Sequence, residues 1–313
     1  MEIFVNNKVS ICYVAYGKKL EICQQLYFSI LSLLKYDTRK FDIHILTDSP
    51  EYFVRLSEYC HITVMTSQNI TDWCGQYDYH FRIKLKALEL LTEVSPDTDI
   101  LFFDSDTFHY AAPDTLITAL RQGYAIFHCN EGLLAKNRDN SLWSPLKYKK
   151  FANIEINDKT YMYNSGVVGL PASQANDILH QAITACDQMC RNLQKKGVVE
   201  QLAISAVAQT KLDCKFADKY VLHYWGNKSQ WNELIRKHMT EVLLKNYNIT
   251  EELSLLSSFD PIKIPIYKRT QINNQRLKSL ADVMFPKIRA KYFSPLEQTN
   301  LASSHCQLKP VKK

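Results

Sequence analysis

Ile100-Leu101-Phe102-Phe103 is an apolar run without polar alternation, and it stops on Asp104-Ser105-Asp106. A strand of that composition is buried on both faces, which requires a sheet covered by helices on each side. The flanking sequence agrees. Short β-branched or aromatic runs at 9–15, 41–46 and 62–65 alternate with helical periodicity over 20–35 and 79–91, which predicts βα units and a mainly parallel sheet. Further along, the pattern predicts a helix over 113–122, a strand over 124–128 and a polar stretch over 130–159. An apolar segment over 161–170 is interrupted by Asn164-Ser165-Gly166; helices over 173–193 and 199–210 and a short strand over 220–222 follow. From Ser229 the strands cease, so the expected organisation is an α/β catalytic domain, 1–228, and a basic helical C-terminal appendage, 229–313.

With 313 residues, 46% of them hydrophobic, the chain has material for one large core, and no apolar run approaches the ~20 residues of a membrane span. Nine cysteines, an odd number with no C-x-x-C pair, fit reduced thiols, and residues 1–9 carry no secretory apolar stretch. A cytoplasmic protein is the expectation. The net charge of +6 is concentrated after Pro261, where eleven basic side chains face Asp282 and Glu297 alone. With Phe285, Tyr292 and Phe293 interleaved, that tail suits peripheral attachment to an anionic membrane face; a solvated tail and nucleic-acid binding are the competing readings, and no nucleic acid is expected.

Asp104 and Asp106 stand at the carboxyl end of the buried strand, where open α/β sheets place their ligands. Paired carboxylates suit a hard divalent cation that keeps positions open for diphosphate oxygens, and two uncompensated charges beside an apolar strand would be costly. The alternative phosphatase pattern, D-x-D-x-[TV], fails because Phe108 occupies its last position. His223 is a third candidate ligand. Gly226 permits close backbone approach to a phosphate and Lys228 offers a mobile charge. At the start of the 79–91 helix, Arg82 and Lys84 are candidate contacts to an anionic donor, whereas Lys86 reads as solvent-facing. Asn164 and Ser165 offer hydrogen bonds to sugar hydroxyls, and Glu200-Gln201 opens a helix.

In this order, Leu101-Phe102-Phe103-Asp104-Ser105-Asp106, Tyr163-Asn164-Ser165-Gly166-Val167, Glu200-Gln201 and His223-Tyr224-Trp225-Gly226-Asn227-Lys228 resemble family 8 glycosyltransferases and their bacterial relatives, over about 9–228. The resemblance implies a GT-A fold and transfer of a sugar from a nucleotide-diphosphate donor, a UDP-sugar, to a glycan, lipid-linked or protein acceptor, with retention at the anomeric carbon. It implies that Asp104, Asp106 and His223 hold Mn²⁺ or Mg²⁺, that Asp104 and Ser105 contact the donor, and that Gly226 and Lys228 meet phosphate. Tyr13, Ala15 and Asp48 correspond to the base pocket, Arg82 or Lys84 to the basic donor contact, and Asn164, Ser165, Glu200 and Gln201 to the surroundings of the transferring sugar, with Gln201 facing the anomeric carbon. The family spacing H-x-x-G-x-x-K is shortened, Lys228 coming one residue early, and Glu200 replaces the usual aspartate. A non-catalytic nucleotide-sugar binder and a nucleotidyltransferase are the alternatives; the latter lacks a glycine-rich phosphate loop after the first strand, where only Tyr16-Gly17-Lys18-Lys19 is found.

Overall fold

A computed structural model describes residues 8–137, 141–261, 264 and 269–285. The chain begins β1 (Val9–Ala15), α1 (Leu20–Leu34), β2 (Phe41–Thr47), β3 (Cys60–Val64), α2 (Ser67–Cys74), α3 (Arg82–Val94), β4 (Ile100–Phe103), β5 (Thr107–His109), α4 (Asp114–Arg121) and β6 (Ala125–Phe127). It continues with β7 (Asn130–Leu133), α5 (Trp143–Leu146), β8 (Lys150–Phe151), β9 (Ile154–Glu155), β10 (Tyr161–Tyr163), β11 (Val167–Leu170), α6 (Ala172–Arg191) and α7 (Val199–Lys211). The last elements are β12 (Cys214–Phe216), β13 (Val221–His223), α8 (Lys228–Leu244), α9 (Ile249–Ser257) and α10 (Arg269–Met284).

Seven strands form the central sheet in the order β12-β6-β11-β4-β1-β2-β3. All neighbouring pairs are parallel except those of β11, which runs antiparallel to β4 and β6. The protein is therefore a mixed, mostly parallel α/β sheet flanked by helices, as the sequence pattern requires. Alternate side chains along each strand enter opposite layers. Cys12, Phe102, Phe127 and Val168 pack with α3, α6 and α7. Ile11, Tyr13, Leu101, Phe103, Ile126 and Val167 pack with α1, α4, α8 and α9. Each fully buried side chain of this kind stabilises the fold by about 1.5–3 kcal/mol.

The 161–170 segment, expected as one interrupted strand, is two strands in different sheets: β10 pairs with β7 and β11 joins the central sheet. The polar tripeptide Asn164-Ser165-Gly166 is the crossing between them. Helix α2, in a polar stretch that carried no helical expectation, is held by a capping box between Thr66 and Asn69. Helices α8 and α9 differ from the expected boundary at residue 228. They belong to the compact unit that runs to Pro265, because Trp231 stacks on Tyr224 at 4.3 Å and meets Phe28, Phe108 and Phe259. The second unit, Ile266–Lys313, contains α10. Most of the basic tail, including Lys263, Lys268, Lys287, Arg289, Lys291, Lys309, Lys312 and Lys313, lies outside the described residues, as do Tyr292 and Phe293. No described helix is long and apolar enough to cross a membrane.

Candidate metal and donor site

Asp104, Ser105 and Asp106 form a turn from β4 into β5, closed by the Thr107 hydroxyl donating to the Asp104 carbonyl at 2.8 Å. The two carboxylates converge in this turn. β5 pairs antiparallel with β13, setting His223 opposite Thr107, and the Tyr224 N–H donates to the Asp106 carbonyl at 3.0 Å. A pairing across more than a hundred residues thus delivers the imidazole to the carboxylates. His223 Nε2 lies 3.6 Å from Asp104 Oδ2 and 3.5 Å from Asp106 Oδ1.

Hydrogen bonding sets the tautomer of that imidazole. The Asn164 amide donates from Nδ2 to Glu131 Oε1 at 2.9 Å, and its Oδ1 accepts the Gly166 N–H at 3.0 Å. That orientation leaves Asn164 Oδ1 as the acceptor for His223 Nδ1–H, 2.9 Å away. Nε2 faces the two carboxylate oxygens, and in the neutral imidazole it carries the lone pair that completes a donor set for a cation. Asp104, Asp106 and His223 form a group able to hold a metal ion, and their oxygens and imidazole nitrogen suit a divalent cation. Only glycine fits at 166, since a Cβ there would lie 2.1 Å from His223 Nδ1.

Each aspartate carries a lysine. Lys84 Nζ is 3.0 Å from Asp104 Oδ1 and 3.5 Å from Glu200 Oε1, and donates to the Ser165 carbonyl at 2.9 Å and its hydroxyl at 3.1 Å. Burial disfavours this ammonium, yet Asp104 and Glu200 outweigh that and hold its pKa above the ordinary lysine value. Glu200 is buried, and the loss of solvent pushes its carboxyl upward against the pull of Lys84. It is thus an internal ion partner of Lys84. Lys228, half exposed at the first turn of α8, sits 2.9 Å from Asp106 Oδ2. Burial opposes the charged Asp106, but His223 and Lys228 hold it well below the usual carboxylate range.

Of the remaining expected site residues, Gln201 is brought in and joined to a group absent from the sequence reading. Gln201 Nε2 donates to Glu131 Oε2 at 2.9 Å, while its Oε1 accepts the Ser165 N–H at 3.3 Å. Glu131, exposed on β7, therefore bridges Asn164 and Gln201. Nothing local marked it; its strand pairs with β10, which ends one residue before Asn164. Arg82 is withdrawn from the donor role: its guanidinium pairs bidentately with Asp187 at 2.7 and 2.9 Å and donates to the Trp73 carbonyl. Tyr13 is also corrected. It is fully buried in the α1 layer, its hydroxyl 2.9 Å from His109 Nε2 and accepting from Ser29, so it does not open to solvent. Ala15 is buried at the end of β1, and the half-exposed neighbour is Tyr16. Asp48 accepts the Gly17 N–H at 2.9 Å, tying the ends of β1 and β2. Gly226 lies in the turn between β13 and α8.

A mostly parallel α/β sheet with a carboxylate–imidazole cation cluster at the carboxyl end of a central strand defines the class. No family model and no curated protein sequence matches the chain. Among solved structures it is similar to an active-site mutant of LgtC, with 11% identity, 67% of this chain and 73% of that one covered, and a TM-score of 0.47. It is also similar to the glycosyltransferase GlyE of Streptococcus pneumoniae, with 13% identity, 84% and 67% coverage and a TM-score of 0.47. A third is apo mouse xyloside xylosyltransferase 1, with 10% identity, 67% and 84% coverage and a TM-score of 0.44. Likenesses this distant carry no residue roles to this chain.

Proposed function

We propose that this protein is a metal-dependent glycosyltransferase of GT-A type, transferring a sugar from a nucleoside-diphosphate donor, a UDP-sugar, to a glycan, lipid-linked or protein hydroxyl. The observation that carries the reading is His223, held at Nδ1 by the Asn164 side chain and aimed through Nε2 at Asp104 and Asp106. Mn²⁺ or Mg²⁺ held by these three groups would act as a Lewis acid for the departing diphosphate. Lys228 is exposed enough to leave Asp106 and neutralise a phosphate, and Gly226 lets the backbone approach. Lys84, buried between Asp104 and Glu200, positions Asp104 rather than meeting solvent. The Glu131 carboxylate, with Asn164 and Gln201, supplies acceptors and donors of the kind that orient sugar hydroxyls. Retention at the anomeric carbon is part of the proposal, with Gln201 beside that carbon.

A screen of nucleotide-sugars for Mn²⁺-dependent nucleotide release, with Asp106→Asn as control, tests the reading. Release that needs both metal and Asp106 supports it. Failure of both release and metal-dependent donor binding by calorimetry would leave a non-catalytic protein, and an inverted product by proton NMR would remove retention. Peripheral attachment through the basic 261–313 segment belongs to the same proposal, and co-sedimentation with anionic vesicles unchanged by its deletion would refute it.

A further inference from the structure

Seven residues, from the last of α2 toward the start of α3, bring together a thiol, a carboxylate and an imidazole. Cys74 is buried; Asp78 and His80 are exposed; their ligand atoms lie within 4.8 Å of one another. Cys74 Sγ is 3.4 Å from His80 Nδ1. Two ligands on one tetrahedral zinc ion, with Zn–S near 2.3 Å and Zn–N near 2.05 Å, stand about 3.6 Å apart. A thiol–imidazole hydrogen bond accounts for that pair but not for the carboxylate of Asp78, which is carried there by a left-handed residue at φ +47°.

The turn is held from outside. Gly75 takes φ +67°, and a Cβ there would crowd Arg82, whose side chain is locked on Asp187 and on the Trp73 carbonyl. The Tyr16 ring stacks on His80, and its hydroxyl donates to the His80 carbonyl at 3.0 Å. Both ends of the chelating segment are therefore fixed by neighbours, as the outer contacts of metal ligands are.

We propose that Cys74, Asp78 and His80 bind a Zn²⁺ ion, leaving one coordination position for water or an incoming ligand. The sulfur and nitrogen donors select a borderline-soft cation, whereas Asp104, Asp106 and His223 offer the oxygen-rich set of a hard one. Binding forms the S–Zn bond and releases the thiol proton to solvent. Bound there, the ion fixes the turn leading into α3, the helix that carries Lys84. This site is independent of the glycosyl-transfer reading.

The test uses the full-length protein, stripped of metal, titrated with Co²⁺ as a spectroscopic probe and assayed for bound zinc by elemental analysis. One equivalent of Co²⁺ should produce a thiolate-to-cobalt charge-transfer band that Cys74→Ser abolishes. Asp78→Asn and His80→Gln, at exposed positions, should each weaken Co²⁺ binding tenfold or more while leaving the far-UV circular dichroism unchanged. Asp106→Asn should keep the band, so loss of transfer activity and loss of this site are read separately. No thiolate band in the native protein, or a band undiminished in both Asp78→Asn and His80→Gln, overturns the proposal. Those two variants decide even where Cys74→Ser fails to fold.

Discussion

The two candidate cation clusters use similar ligand counts and are built in opposite ways. Cys74, Asp78 and His80 lie within seven consecutive residues, while Asp104, Asp106 and His223 are gathered by the β5–β13 pairing and the Asn164 contact. A local chelate survives, in part, in the unfolded chain; a gathered one does not exist until the sheet has formed. The gathered cluster is also wired to its surroundings, each aspartate to a lysine and the histidine to an asparagine. Its chemistry and its stability are therefore coupled, and those of the turn much less so.

The largest effect should come from Lys84→Met. It strands Glu200 and Asp104 without their buried counter-charge and should cost about 3–5 kcal/mol in denaturant unfolding. A loss under 1 kcal/mol would mean that the gathered site is not part of the folding core.

Next, saturating the gathered site with Mn²⁺ at 100 times Kd should add about 2.7 kcal/mol of stability, since the unfolded chain has no such site. Zn²⁺ at the same excess should add less at the 74–80 turn, because the unfolded segment retains affinity. Equal thermal shifts would erase the distinction between the two clusters. Asp106→Asn should abolish the Mn²⁺ shift and leave the Zn²⁺ shift intact.

Gly166→Ala comes third. The added methyl displaces His223, and Mn²⁺ affinity by calorimetry should fall about 10–100-fold with little change at the turn.

An acid effect belongs to neither cluster. His109 is fully buried against Tyr13, and loss of solvent, aided by Lys35, lowers its pKa to about 3. The unfolded histidine binds its proton near pH 6.5, so the unfolded state holds more protons between the two values. Stability from His109 is complete above about pH 6.5 and declines by about 1.4 kcal/mol per pH unit as pH falls toward 3. His109→Asn should flatten that slope in unfolding measured across pH 4–6, separating acid loss of the fold from acid loss of metal ligation.

The parallel sheet was legible because double burial removes polar alternation from strands such as β4, a property of composition alone. Asp104, Asp106 and His223 were legible for a related reason: charged or metal-binding side chains beside apolar runs demand a partner. Arg82 and Lys84 were indistinguishable in sequence, two residues apart on one helix. Packing separated them, giving Arg82 to Asp187 and Lys84 to Asp104. Tyr13 was placed in the base pocket by the family resemblance. Strand alternation points it into the α1 layer, and which face carries the site is decided only when helices cover the sheet.

By itself, the sequence determined the alternation of strands and helices, the buried central strand and the chemical types at its end, since these depend on neighbours along the chain. Glu131 bridging Asn164 and Gln201, the proton on His223 Nδ1 and the inclusion of α8 in the main unit were decided only by tertiary structure. Each depends on hydrogen bonds or stacking between groups remote in sequence, whose geometry no local pattern encodes.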